Sequence, residues 1–122
     1  MDKIQQQWRQ LTKAIDAINH PLRYRMIEII KAEPNGIKPT DIALIVQNDT
    51  SLKNINRNKY MVSQHLTILK AADLVTLRID GKSHFYSANL EKIMLLHFLR
   101  KEWSKYETDN KKKGHTLRKK NK

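Results

Sequence analysis

The sequence predicts a mainly α-helical domain carrying one small β-hairpin. Three observations predict it. Apolar residues recur at helical spacing through most of the first 75 positions. The period then drops to two at Val75, Leu77 and Ile79, just before an Asp-Gly pair at 80–81. Helical spacing returns from Leu90.

The elements follow in order. Ile4, Trp8, Leu11, Ile15 and Ile18 are spaced 4-3-4-3, a narrow apolar seam along a first helix that Asn19 and His20 end. Pro21 opens a second helix where its missing N–H costs nothing, and that helix buries Leu22, Met26, Ile29 and Ile30. "EPNG" stops it with proline and Asn-Gly turn chemistry. Arg23 and Arg25 flank its apolar side and read as surface charges. Pro39 restarts a short helix with Asp41 in the first turn, and Ile42, Ala43, Ile45 and Val46 are its apolar residues.

A polar, Asn-rich connection, "QNDTSLKNINRN", leads to Asn58, the expected N-cap of the next helix. That helix, about 58–72, carries two surfaces. Met61, Val62, His65, Leu66, Ile68, Leu69 and Ala72 fall on one side; Tyr60, Ser63, Gln64, Thr67 and Lys70 fall on the other. Asp73 is its only nearby acid. In the hairpin, a two-residue Asp-Gly turn places Leu77 opposite His84 and Val75 opposite Tyr86. The last helix, from about Leu90 to Tyr106, is apolar nearly all round (Leu90, Ile93, Met94, Leu95, Leu96, Phe98, Leu99, Trp103) and needs a second partner to cover it. The seam on the first helix is its companion, so Ile4, Trp8, Leu11, Ile15, Met94, Phe98 and Trp103 form the expected homodimer interface. His97 reads as a packing residue there.

Composition bounds the function. A chain of 122 residues suits one domain, assigned to 1–108, followed by a basic, disordered tail at 109–122. The net charge of +12 points to a polyanionic partner such as nucleic acid. More than half of it sits in "KKKGHTLRKKNK", which has seven cations and no acid. There is no cysteine, which excludes disulfides and thiolate metal sites. No signal-peptide core or membrane-length apolar run occurs, so the expectation is a soluble cytoplasmic protein. No nucleophile elbow, phosphate-binding glycine loop or triad spacing suggests an enzyme. No cofactor or metal is expected.

Short helix, connection, polar-faced helix and hairpin is the element order of a winged helix-turn-helix. The segments "NHPLRYRMIEII", "PTDIALIV", "VSQHLTILKAADLV" and "RIDGKSHFYS", within about residues 15–88, resemble the ArsR-type family of dimeric transcriptional repressors. The resemblance implies that helix 58–72 enters the DNA major groove, that 75–87 is the wing, and that the terminal helices make the dimer. Ser63, Gln64 and Thr67 then suit base edges, Gln64 having the paired donor and acceptor that adenine requires. Lys59, Lys70, Arg78 and Lys82 suit phosphates, Tyr60 a phosphate or thymine methyl, and His84 lies on the wing beside them.

Two departures stand out. Neither metal site frequent in the family has its residues here: "KPTDIALIV" lacks cysteine, and "NLEKIMLLHFLRKEW" lacks the Asp-x-His and His-x-x-Glu patterns. The connection before the reading helix is also longer than the family's tight turn. The expected function is a homodimeric repressor on an inverted-repeat operator, with any small-molecule effector unidentified. A sequence-indifferent DNA-coating protein and a winged-helix protein-interaction module stay open as alternatives.

Overall fold

A computed structural model describes residues 2–120, with side chains described up to Asp109 except those of Trp103 and Tyr106. Five helices and one hairpin follow in the expected order: α1 (Lys3–Ile18), α2 (Pro21–Lys31), α3 (Pro39–Gln47), α4 (Lys59–Ala71), β1 (Val75–Asp80), β2 (Ser83–Ala88) and α5 (Leu90–Lys120). The core is assembled from the apolar side of every helix. Leu22, Met26 and Ile30 of α2, Ile42 and Val46 of α3, and Val62, Leu66 and Leu69 of α4 are fully buried together with Leu74 and Val75. Each such side chain contributes about 1.5–3 kcal/mol on burial, so this cluster dominates the fold's stability. Ala14 and Ala17, both buried, let α1 lie close against the body, and Ile93 and Leu96 anchor the start of α5.

Local chemistry sets the boundaries. Asp2 caps α1 through a bond from the Gln5 amide, and Asn58 caps α4 by accepting the Met61 amide at 2.9 Å, as its position predicts. At the other end of α4 the Leu74 N–H donates to Leu69 O and the Asp73 N–H to Lys70 O, with Asp73 at φ 62°. This is a Schellman closure with aspartate where glycine is usual. Asn89 then joins two elements. Its carbonyl oxygen caps α5 at the Lys92 amide, while its amide group donates to Asp73 O at 2.9 Å. The start of α5 is thereby tied to the end of α4.

The hairpin differs from the expected register. Leu77 pairs with Tyr86 and Val75 with Ala88, a shift of two residues, because the two-residue turn is Gly81-Lys82 and not Asp80-Gly81. Gly81 takes the first central position with φ 63°, as a type II′ turn requires, and Asp80 pairs with Ser83. A shift of two keeps every side chain on its face. Sequence periodicity also missed a bridge: Ile37 exchanges both backbone hydrogen bonds with Tyr86 at 2.9 Å, adding a one-residue third strand outside β2. Gly36 makes this approach possible, since its φ is 100° and a Cβ there would stand 3.0 Å from Phe85 Cβ.

Helix α5 is longer than expected. Its backbone continues to Lys120, past the end placed near Tyr106 and into the stretch read as a disordered tail. No proline interrupts it, and the first glycine is Gly114. Thr108 Oγ1 donates to Ser104 O, and Lys105 pairs with Glu102 at 3.6 Å along the exposed side.

Candidate functional site

The polar stripe of α4 is fully displayed. Tyr60, Ser63, Gln64, Thr67 and Lys70 are all exposed, while Val62, His65, Leu66 and Leu69 on the opposite side are buried. Ile68 is the exception among the expected apolar residues, at 42% exposure on the margin between the two faces. From Tyr60 to Lys70 the stripe spans about 15 Å at 1.5 Å per residue. A helix is about 10–12 Å across with its side chains, a diameter that suits a major groove about 12 Å wide.

The stripe is also ordered internally. Gln64 Nε2 donates to Tyr60 Oη at 2.9 Å, and Thr67 Oγ1 donates to Ser63 O at 3.2 Å. Gln64 keeps its carbonyl oxygen and a second N–H for a partner, and Thr67 keeps an accepting lone pair. Both can still read a base edge. Lys59 stands exposed at the start of the helix and Lys70 in its last turn.

The hairpin residues do not form one surface. Arg78 pairs with Phe85 across the strands and His84 with Ile79, so Arg78 and His84 point to opposite faces, with Lys82 in the turn between. Arg78 is moreover engaged. Its guanidinium lies 4.5 Å from the Phe85 ring centroid, donates to Asn35 O at 3.2 Å, and stands 3.7 Å from the Asp80 carboxylate. His84 is exposed, as expected of a strand histidine away from the body.

The connection at 48–58 is a built element. A 3-10 turn, Thr50–Leu52, is capped by Asp49, whose Oδ1 accepts from the Ser51 amide at 3.0 Å and from Ser51 Oγ at 2.6 Å. Asp49 Oδ2 accepts from Arg25 Nε of α2 at 2.8 Å. Leu52 is buried and Ile55 packs on the same core. Arg57 closes the segment: its guanidinium donates to Leu52 O, Ile55 O and Gln47 O, while its Nε is buried without a partner. The long connection therefore leads α3 into α4 through fixed geometry. Arg23 and Arg25 are not the surface charges that the sequence suggests. Both are half-buried and hydrogen-bonded inside the molecule, Arg23 to backbone carbonyls and His65, Arg25 to Asp49.

The Ser51 and Arg25 contacts hold the Asp49 carboxyl at about 2, below its ordinary 3.8. A carboxylate depressed on folding stabilises the fold above its unfolded pKa, and that contribution is lost as pH falls toward the folded value. Asp49→Asn should accordingly lower stability at pH 5 and lose its effect near pH 2. Urea unfolding at both pH values checks this; an equal difference at both would remove the carboxylate from the argument.

The expected interface residues are placed as follows. Ile4 and Trp8 are each 65% exposed, Ile15 45%, Met94 68% and Phe98 59% in the single chain. Leu11 differs, being half-buried against the chain's own core. The Trp103 side chain lies outside the described residues. Leu90 and Leu95, named among the apolar residues of the last helix but not among the interface residues, are 51% and 50% exposed and extend the apolar surface of α5. Among the described residues no group of three or more His, Asp or Glu side chains could hold a metal ion, and no helix is long and apolar enough to cross a membrane.

Known structures share this architecture. No protein-family model and no curated protein sequence matches the chain. Solved structures do. The chain is similar to the homodimeric winged helix-turn-helix DNA-binding domain of a possible ArsR-family transcriptional regulator from Mycobacterium bovis, with a TM-score of 0.65, 16% identity, and coverage of 87% of this chain and 89% of that one. It is similar to a possible transcriptional regulator for arsenical resistance (TM-score 0.58, 21% identity, 75% and 83% covered). A third is HlyU from Vibrio cholerae (TM-score 0.58, 15% identity, 85% and 99% covered). The fold is a winged helix-turn-helix.

Proposed function

We propose that the chain is a homodimeric, sequence-specific DNA-binding transcriptional regulator of the cytoplasm that inserts α4 into the major groove. The observation carrying this reading is the exposed, carboxylate-free stripe of α4, the second helix of the helix-turn-helix, with a hairpin beside it. Ser63, Gln64 and Thr67 face base edges; Lys59, Tyr60, Lys70 and Lys82 contact the backbone. Arg78 supports the wing through Phe85 and Asn35 before it serves phosphate, and His84 contributes from the other face of the hairpin. The exposed residues of α1 and α5 pack against their copies in a second chain. Two reading helices then face half-sites about 34–36 Å apart, one helical turn of DNA. Occupying promoter DNA at such an inverted repeat gives repression. With no thiolates available, soft metals have no cysteine site through which to release it. The similarity to solved regulators agrees with the reading through the fold.

Selection from random duplexes tests it. The expected product is a palindrome with half-sites about 10–10.5 base pairs apart, centre to centre. Retention of all sequences alike would instead make the protein a DNA coat. No retention even at low salt would make it a protein-interaction module.

A further inference from the structure

One buried cluster joins the helix expected to dimerise to the helix expected to read DNA. His65 lies on the inner side of α4 and is 7% exposed, the only polar residue in the described core. Its Nδ1 is 3.1 Å from Arg23 Nη1 of α2. The same guanidinium donates through Nε to Ala17 O at 2.5 Å and through Nη2 to Asp16 O at 3.5 Å, both in the last turn of α1. A guanidinium only donates, so the Nδ1 it meets must be the unprotonated nitrogen and the ring neutral. His20 completes the cluster. Its ring centroid is 4.8 Å from that of His65, and its Nδ1 accepts the Leu22 amide at 3.2 Å to cap α2.

We propose that Arg23 is a positioning residue that fastens the reading helix to the end of α1 through neutral His65, so that a proton on His65 releases α4. This deepens the proposed DNA-reading role of α4 and rests on it. Protonation turns the Nδ1 acceptor into a donor facing another donor, and sets a new cation against an existing one in a part-buried site. The charged and titratable groups facing the imidazole are His20, the N-cap of α2, and Arg23 within it. From α1 the cluster receives backbone carbonyls, and on α4 itself the neighbours one turn away are Met61, Val62, Ile68 and Leu69. On its far side His20 borders a groove shared with His97 and Arg100 of α5. Burial first, then His20 and Arg23, pushes His65 below its ordinary 6.5. A histidine depressed on folding contributes fully above the unfolded value, and its contribution declines as pH falls below about 6.5. The released state is therefore the acidic one.

The experiment has two arms. In the first, nuclear magnetic resonance of the DNA-free protein reports the His65 tautomer at pH 7.5 and backbone shifts down to pH 5.5. The expected result is a proton on Nε2 alone, with acid-induced shifts in the last turn of α1 and in α4 that disappear in His65→Asn, whose carbonyl oxygen replaces the Nδ1 acceptor but cannot titrate. A proton on Nδ1 at pH 7.5, or the same shifts in His65→Asn, overturns the link. In the second arm, affinity for the selected operator is compared with that for a scrambled duplex at both pH values, with dimerisation monitored by sedimentation. Wild type should lose operator preference by roughly tenfold per unit of pKa difference between the held and released states. His65→Asn should keep its preference, and Arg23→Met should lose it at both pH values. An equal acid loss in His65→Asn overturns the proposal. Should no operator be recovered at all, the DNA-reading role fails, and the first arm alone still decides whether the link exists.

Discussion

Phe98→Asp should convert the protein from dimer to monomer and remove most of its operator affinity. Phe98 is 59% exposed and Met94 68% exposed on one side of α5, one turn apart. An apolar surface of that kind, with Ile4 and Trp8 equally open on α1, is costly to leave in water. In a two-fold dimer each substitution acts twice. Losing one large buried side chain costs about 1.5–3 kcal/mol per subunit, so dimer dissociation should rise by about 10²–10⁴-fold before the burial of two carboxylates is counted. Operator binding falls with it, because two linked reading heads enjoy a high effective concentration that separate ones lack. The fold should survive, since the core runs through Ile93 and Leu96 on the other side of the helix. Sedimentation at micromolar concentration, with circular dichroism to confirm the helices, gives the answer. A variant that sediments as wild type does would place the interface elsewhere.

How much of this was legible in the sequence depends on what each residue bonds to. The helices and the wing were legible because burial on one side imposes a period: Leu22, Met26 and Ile30 mark α2 as plainly in the sequence as in the core. The cap at Asn58 was legible because capping is local. Arg23 was not. A guanidinium bound to carbonyls of the preceding helix and to a histidine 42 positions away leaves no local pattern. The same holds for Arg57, whose partners are the carbonyls of Gln47, Leu52 and Ile55. The hairpin register depended on which residue could take the positive φ at the first central position, and the Asp-Gly pair placed glycine second when the fold needed it first. Of the candidate DNA contacts, those on α4 share one face because they share one period. Arg78 and His84 were both assigned to the wing, but the register puts Arg78 opposite Phe85 and His84 opposite Ile79, so the two lie on opposite faces of the hairpin.

Replacing Gln64 and Thr67 together with alanine should flatten the choice of operator and leave non-specific affinity nearly unchanged. Both side chains are exposed and neither touches the core, so stability is not at stake. Gln64 gives one N–H to Tyr60 and retains the acceptor and donor pair that adenine matches; Thr67 gives its hydroxyl proton to Ser63 O and can only accept. A well-placed bidentate contact discriminates by about 1–3 kcal/mol, or roughly 5- to 150-fold between the right and wrong base. The scrambled duplex, held by phosphate contacts, does not feel that loss. The single Thr67→Ala variant leaves the Gln64–Tyr60 bond in place and should lose the smaller part of the preference. Deleting residues 111–122 acts on the other quantity. If those cations meet phosphate, each lost contact lowers the log–log salt slope by about 0.9 while sequence preference persists. A salt titration of operator and scrambled duplexes with wild type and the variants separates the two effects. Undiminished preference in the double alanine variant would take base reading away from the middle of α4 and leave it to the exposed amides at its entry, Asn54, Asn56 and Asn58, on a segment that Arg57 and Asp49 already hold in place.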